Sequence, residues 1–365
     1  MGWAALSEFV PLYPLYALLF LGTGLSTAEI SGLFAVWSVT AVLAEVPAGA
    51  LADRWSRRGV LACGGVLQAG AFALWTAAPG TASFAAGFAL WGVSSALWSG
   101  TAEALVFDGL RDVGAEDAYA RVNGRMTAAE LLVQVPTALA ATGLHAVGGF
   151  ALVGWVSAAM SLVAAGLALR FPEPPRERAA GMLAALRAGV GEVARHAPLR
   201  PAVVAVALVG GLDAVEEYFP VLADDRGVPT GAVPFVVLVV SLAGALGAEL
   251  GGRADGLPDG VLPALLAAAG VLLAAVAVLP GPAALAALAV AYGLYLAVLV
   301  GAEARLQESI EGPHRATVTS VAGVGIELAG LLVFAAWALG SAVGTALLVL
   351  AVVPVVARGL RAHRS

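Results

Sequence analysis

The sequence predicts an all-α integral membrane protein of twelve transmembrane helices, built as two six-helix bundles. Three observations carry this prediction. The 365 residues are 60% apolar and only 12% charged, against about 25% charged in an ordinary soluble domain; a soluble core of this size could not hide that much apolar surface, whereas lipid can solvate it. The apolar residues fall into twelve stretches of about the 20 residues that cross a bilayer. The arginines fall almost entirely on alternate connections between those stretches, the pattern that fixes membrane orientation.

The first span covers residues 5–23 and is interrupted by Pro11 and Pro14, which membrane helices tolerate where neighbours re-satisfy the backbone. The start, Met1-Gly2-Trp3-Ala4, lacks the basic region of a cleavable signal, so this stretch is expected to stay as a helix. Spans two to six are 29–51, 59–78, 82–106, 124–144 and 148–170. The connection 171–200 opens with Pro172-Glu173-Pro174-Pro175 and carries Leu183, Leu186, Val190 and Val193 at helical spacing, which suits either a surface-lying amphipathic helix or a solvated linker. Spans seven to twelve are 201–222, 231–251, 261–279, 282–303, 316–337 and 340–358. The expected division is an N-terminal bundle over 1–170, a central loop over 171–200 and a C-terminal bundle over 201–365.

One set of connections, such as 22–28, 78–82 and 144–148, is short and almost uncharged. The other holds Arg54, Arg57 and Arg58, then Arg111, Arg121 and Arg125, then the arginines of 170–200, Arg253, Arg305, Arg315, and Arg358, Arg361 and Arg364; only Arg226 falls on the opposite side. By the positive-inside rule both termini and the central loop are expected in the cytoplasm. The Ala, Gly, Val and Leu content suggests a GC-rich bacterial genome, hence a bacterial inner membrane.

Several chemistries are excluded. All 19 basic residues are arginine, which removes the lysine of a Walker A loop and of a Schiff base. One cysteine, Cys63, allows neither an internal disulfide nor a Cys-x-x-Cys site. The four histidines are scattered, and no GxSxG elbow, metal cluster or complete GxGxxG occurs. No enzyme activity, cofactor, metal or nucleic-acid partner is expected.

The second half echoes the first at an offset near 200 residues. Thr101-Ala102-Glu103-Ala104-Leu105 aligns with Gly301-Ala302-Glu303-Ala304-Arg305, Asp108 with Glu308, and Leu51-Ala52-Asp53-Arg54 with Leu250-Gly251-Gly252-Arg253. Six helices per half make this a parallel repeat, related by an axis along the membrane normal. Gly247-x-x-x-Gly251 and Gly340-x-x-x-Gly344 allow close helix approach.

The segment Gly49-Ala50-Leu51-Ala52-Asp53-Arg54-Trp55-Ser56-Arg57-Arg58 follows the second span on the arginine-rich side. It resembles the loop signature of the major facilitator superfamily, departing at Ser56, where the family usually has glycine. The second copy ending in Arg253 and the run Ser99 to Ala104 followed by Asp108 are similar to family features too. The resemblance implies secondary transport by alternating access, with this motif as a gate latch. Asp53 would face the positive end of another helix, and Arg57 or Arg58 would pair with Asp108. An ordinary charged loop is the plainer reading. The family's antiporter signature in the fifth span is not met: Pro136 is present without the glycines.

Ionisable groups at membrane depth are costly and mark function. Here all are acidic: Glu45, Glu130, Asp213, Glu216, Glu217 and Glu327. Asp213 and Glu327 lie about eleven or twelve residues into their spans, near mid-membrane. Asp213 and Glu217, four apart, share a helix face; Glu216 and Glu217 would equally suit an exposed mouth, and Glu45 a helix-packing hydrogen bond. The resemblance places the first, fourth, seventh and tenth helices around a central cavity. Asp213 with Glu217 is therefore the first choice for proton coupling, then Glu327 and Glu130. Tyr13, Tyr16, Trp91, Trp98, Tyr292 and Tyr295 are the cavity aromatics, suited to a hydrophobic or cationic substrate or else to plain packing. The expected function is a proton-coupled exporter of small hydrophobic or cationic compounds, acting as a monomer on protons and a small-molecule substrate in the lipid bilayer. An uptake carrier for a metabolite, or a transporter-like sensor or scaffold, is the alternative.

Overall fold

A computed structural model describes residues 1–173, 199–253, 258, 260–310 and 315–360; of Asp53, residues 315–317 and residue 320 it describes the backbone alone. The regular structure of the described residues is all helical, without strands. The helices are α1 (Gly2–Glu8), α2 (Tyr16–Gly22), α3 (Thr27–Arg54), α4 (Arg57–Ala77), α5 (Thr81–Trp98), α6 (Thr101–Asp112) and α7 (Tyr119–Ala168), then α8 (Leu199–Gly211), α9 (Phe219–Asp225), α10 (Val233–Gly252), α11 (Val261–Val276), α12 (Gly281–Ser309) and α13 (Arg315–Gly359). The amphipathic stretch expected in the central loop lies outside the described residues.

Six of these helices are long and apolar enough to cross a membrane: α3, α4, α7, α10, α12 and α13. Two of the six hold more than one pass. The 50 residues of α7 and the 45 of α13 would run to roughly 75 and 68 Å if straight, more than twice the ~30 Å hydrocarbon thickness. Each is two helices joined at a break. In α7 the break is at Gly148 and Gly149, where φ +58° at Gly149 costs glycine nothing. In α13 it is at Ser341, whose φ of +50° makes it, among the described residues, the one with positive φ that is not glycine, and a strained position.

Three expected spans depart from continuous helix. The first splits into α1 and α2, because Pro11 and Pro14 remove donors from the intervening turns. The Leu12 amide left over is taken by Ser157 Oγ at 3.0 Å. The fourth splits into α5 and α6 at Gly100, whose left-handed φ of +66° ends one helix and starts the next. The seventh changes pitch: α8 gives way to a 3₁₀ helix over Leu212–Tyr218 and then to α9, with Pro220 in its first turn. The ninth is the shorter α11, of 16 residues. At the head of α3, Ser26 and Glu29 form a reciprocal capping box: Ser26 N donates to Glu29 Oε2 (2.8 Å) and Glu29 N to Ser26 Oγ (3.3 Å).

The chain divides into two compact units. The first takes Met1–Leu25, Leu33–Met182 and Thr230–Phe235; the second takes Ser26–Gly32, Leu183–Pro229 and Val236–Ser365. The first unit's core is aromatic. Phe20, Phe72, Trp75, Phe84 and Phe88 are almost fully buried, and Trp75 Nε1 donates to the Phe84 carbonyl at 3.1 Å. In the second unit, Tyr218 stacks on Trp337 with centroids 3.9 Å apart.

Arg226, the exception to the charge rule, is held by the second unit. Its Nη2 donates to the Val276 carbonyl at 2.6 Å, placing a cation at the C-terminus of α11 where the helix dipole favours one. Gly247 and Gly251 allow α10 to meet α12 backbone to backbone: a Cβ on Gly251 would come within 2.5 Å of the Ala297 carbonyl oxygen, and one on Gly247 would overlap the Gly293 carbonyl. Gly340 has open space around it, while Gly344 sits against the Ala336 carbonyl across the Ser341 break; that glycine pair serves a reversal of the chain. Gly247→Leu is expected to cost about 1–3 kcal/mol through overpacking, read as a lowered midpoint in a tryptophan-fluorescence melt, whereas Gly340→Leu leaves the midpoint unchanged.

Candidate functional site

The change of pitch over Leu212–Tyr218 builds the site of the second unit. Gly210 and Gly211 end α8 against α13: a Cβ on Gly210 would lie 2.6 Å from Ile326 Cγ1, and one on Gly211 would overlap Ala329. Passing from i→i−4 to i→i−3 hydrogen bonding leaves a carbonyl without its helical partner at the junction. Tyr295 of α12 serves that junction, its hydroxyl lying 3.1 Å from the Val209 oxygen and 3.4 Å from the Gly210 oxygen.

In a 3₁₀ helix residues three apart lie one above the other, so Asp213 is aligned with Glu216. Tyr292 of α12 reads that alignment: its hydroxyl donates to Asp213 Oδ1 at 3.0 Å and lies 3.4 Å from Glu216 Oε2. This corrects the pairing expected from α-helical spacing, which matched Asp213 with Glu217. Glu217 lies instead within electrostatic reach of the Tyr218 hydroxyl, itself 2.7 Å from Ser31 Oγ. Glu303, two turns along α12 from Tyr295, is close enough to Asp213 for their charges to interact. Glu327 is half-buried on α13, next to the Ile326 that packs on Gly210. A small apolar cavity of about 30 Å³ adjoins Tyr292 and Tyr295, lined by Leu212, Val215 and Phe219 among others.

In the first unit, Glu130 is half-buried on α7 and feels the charges of Glu8 on α1 and Glu103 on α6. Glu8 was not singled out from the sequence, although the rule that found Glu130 applies to a carboxylate inside the first span. Glu45 accepts from Ser99 Oγ at 3.0 Å, the helix-packing bond expected of it. Tyr16 is 2% exposed and packs on Phe34, Trp75 and Phe88. Tyr13 meets the edges of Tyr16 and Trp91. Trp91 and Trp98, seven apart and on one helix face by sequence, serve different clusters: Trp98 Nε1 donates to the Leu61 carbonyl at 2.9 Å, and its ring meets Trp3.

The charged loop between α3 and α4 is a local network. Arg57 pairs with Asp108 of α6, and its Nη1 also donates to the Ala104 carbonyl at 2.9 Å. Arg111 lies 3.4 Å from the other Asp108 oxygen. Glu173 takes the rest: Ser56 Oγ (2.7 Å), the Arg57 amide (2.8 Å) and Arg58 Nε (3.5 Å). Arg57 is therefore the partner of Asp108, and Arg58 is not. Ser56 caps α4 by accepting from Gly59 N at 3.1 Å, which gives the departure from the family glycine a structural role. Ser56→Ala is expected to cost about 1 kcal/mol of stability and Ser56→Gly less, since glycine is tolerated at caps; thermal melts of the two variants check the order. Gly49 lies within α3 and Arg54 is exposed at its end, while the Asp53 side chain lies outside the described residues. Arg253 pairs with Glu249 at 2.6 Å on the exposed end of α10. Among the described residues no group of His, Cys, Asp and Glu could hold a metal ion.

A family model described as Major Facilitator Superfamily matches residues 2–334. No curated protein matches the sequence. Among solved structures, the nucleoside transporter NupG superposes with a TM-score of 0.74 at 13% identity, over 98% of this chain and 96% of that one. A bacterial homolog to the human lysosomal transporter Spinster, inward-facing and unoccupied, gives 0.73 at 14% identity, over 98% and 93%. A D-xylose-proton symporter gives 0.70 at 14% identity, over 97% and 94%. At these identities the likeness is one of fold.

Proposed function

The chain belongs to the major facilitator superfamily, and from that premise we propose that it is a proton-coupled exporter of small hydrophobic or cationic compounds. Family membership makes it a multi-pass membrane carrier engaged in secondary transport, not an enzyme. Coupling ion, direction and substrate class are the proposal.

One observation carries it. A phenol has one proton to donate, yet the Tyr292 hydroxyl faces Asp213 at 3.0 Å and Glu216 at 3.4 Å. The phenol proton can point squarely at only one of them, so the second contact is a full hydrogen bond when one carboxyl holds a proton and donates it to the phenol oxygen. Three oxygens are thus arranged to hold one exchangeable proton at membrane depth, where charged groups mark function. A cationic substrate would be drawn to the same carboxylates, so cation and proton compete for one site, and competition for one site is the requirement of antiport. The aromatic faces of Tyr292 and Phe219, 4.9 Å apart, suit an apolar or cationic body.

The arginine pattern supports a bacterial plasma membrane with both termini in the cytoplasm; the protein is read as a monomer. The test is flux in proteoliposomes with an imposed proton gradient, using a panel of lipophilic cations and common metabolites. Gradient-driven movement of a lipophilic cation against the proton is expected. Co-directional movement of a metabolite with the proton would replace export by uptake, and flux indifferent to the gradient would end the coupling claim.

A further inference from the structure

A cavity of the first unit lies beside the Arg57–Asp108 pair and apart from the carboxylates of the proposed function. It holds about 290 Å³ and is walled by Trp3, Leu61, Leu105, Val106, Met126 and Phe171, among others. At roughly 30 Å³ per water-sized group, its volume matches about ten methylenes. The side chains of the wall are apolar, with one exception. Trp3 is 7% exposed, and its indole N–H finds no acceptor among the described residues, a costly state for a buried donor.

The rim is cationic. Val122 and Met126, one turn apart on α7, belong to the wall, and Arg121 and Arg125 form the adjacent, exposed column of the same helix. Arg58 Nη1 lies 3.4 Å from the carbonyl of Phe171, another wall residue. Of the acids around the Arg57 pair, Asp108 is engaged by Arg57 and Arg111, and Glu173 by Ser56, Arg57 and Arg58; Asp112, Glu116 and Asp117 stand exposed from the end of α6 to the head of α7.

We propose that this cavity is a binding site for one acyl chain of an anionic phospholipid, with Trp3 Nε1 donating to an ester carbonyl and Arg121 and Arg125 holding the phosphate. The tail needs an apolar slot, the carbonyl needs an unsatisfied donor, and the phosphate needs unspent guanidinium groups; the wall supplies the first two and the adjacent column of α7 the third. Asp108 shares α6 with the wall residues Leu105 and Gly109, so an occupied cavity braces the helix that carries the partner of Arg57.

The experiment uses the full purified chain in detergent and titrates phosphatidylglycerol against phosphatidylcholine of identical chains, reading tryptophan fluorescence and thermal midpoint. Phosphatidylglycerol is expected to bind roughly 25-fold more tightly, at about fivefold per arginine, and the excess should shrink as salt screens it. Arg121→Gln with Arg125→Gln removes the preference between lipids. Gly109→Leu blocks the slot: a side chain there meets nothing within 4 Å and replaces a poor helix former. That variant should fold at least as well and lose binding of both lipids. Trp3→Phe should weaken both lipids alike. Equal binding of the two lipids by the unaltered chain, or full binding by Gly109→Leu, overturns the proposal. So does saturation of the cavity by lipophilic cations with phosphatidylglycerol excluded.

Discussion

Asp213→Asn is expected to abolish gradient-driven transport, bringing it to the level of protein-free vesicles, while downhill exchange of substrate survives. The substitution preserves volume. Its amide oxygen still accepts from the Tyr292 hydroxyl, which lies 3.0 Å from the present carboxylate oxygen. What it removes is the ability to take up and release a proton. Folding should therefore persist, and proton release on substrate addition in detergent should vanish. The neighbours rank the remaining effects. Glu216→Gln leaves Asp213 able to titrate but removes the second carboxylate from the phenol, so the pH profile should shift with partial coupling kept. Tyr292→Phe deletes the hydroxyl that joins the two carboxylates and should shift the profile in both directions of exchange. Glu217→Gln should do least, because Glu217 acts on Tyr218, while the Tyr292 hydroxyl reaches Asp213 and Glu216. Equal loss in Glu217→Gln and Glu216→Gln would show that the 3₁₀ alignment does not govern coupling. Intact proton release in Asp213→Asn would remove Asp213 from the mechanism altogether.

That ranking marks where the sequence is legible and where it is not. Composition and hydropathy find the membrane class, because burying apolar length is a property each stretch carries by itself. The loop motif identifies the family for the same reason: Leu51 to Arg58 are contiguous. Acids at membrane depth are equally visible one by one. Which acids meet is not. Asp213 and Glu217 share a face only if the helix is α, and the pitch over Leu212–Tyr218 changes beside Gly210 and Gly211, which are pressed against Ile326 and Ala329 more than a hundred residues away. Tyr292 can be named as an aromatic near the cavity, but its place between two carboxylates depends on that same non-local packing. Glu173 shows the limit at the other end of the molecule. In sequence it belongs to a proline-rich linker, and in the fold it accepts from Ser56 and from the Arg57 amide. The breaks at Gly149 and Ser341 lie at the short connections expected between spans, where the apolar length exceeds one crossing. The break at Gly100 falls inside an apolar run of ordinary length, which gives no sign of where a helix turns.

Substitutions at Asp108 are expected to harm transport more than substitutions at Arg57, and a charge exchange between them should recover part of the loss. The asymmetry follows from the third partner. Arg57→Ala leaves Asp108 with Arg111, 3.4 Å from its other oxygen. Asp108→Ala leaves Arg57 with only the Ala104 carbonyl from this helix and sets two guanidinium groups beside each other. Both members of the pair are largely shielded, at 13% and 12% exposure, and removing one partner of a buried pair costs more than the pair contributes. The rim position and Arg111 moderate that cost, so a coupling energy of about 1–3 kcal/mol is expected from the double-mutant cycle. Arg57→Asp and Asp108→Arg, alone and together, should be measured for transport rate and for thermal midpoint. A structural tie recovers the midpoint and the rate in step. A latch that must open in each cycle behaves differently: the exchanged pair recovers the midpoint, but the rate recovers less, because Arg111 now faces a like charge at position 108 whenever the latch has to reform. Strict additivity of the two single substitutions in both measurements would reduce this network to a solvated charged loop and withdraw the gate role from Arg57 and Asp108.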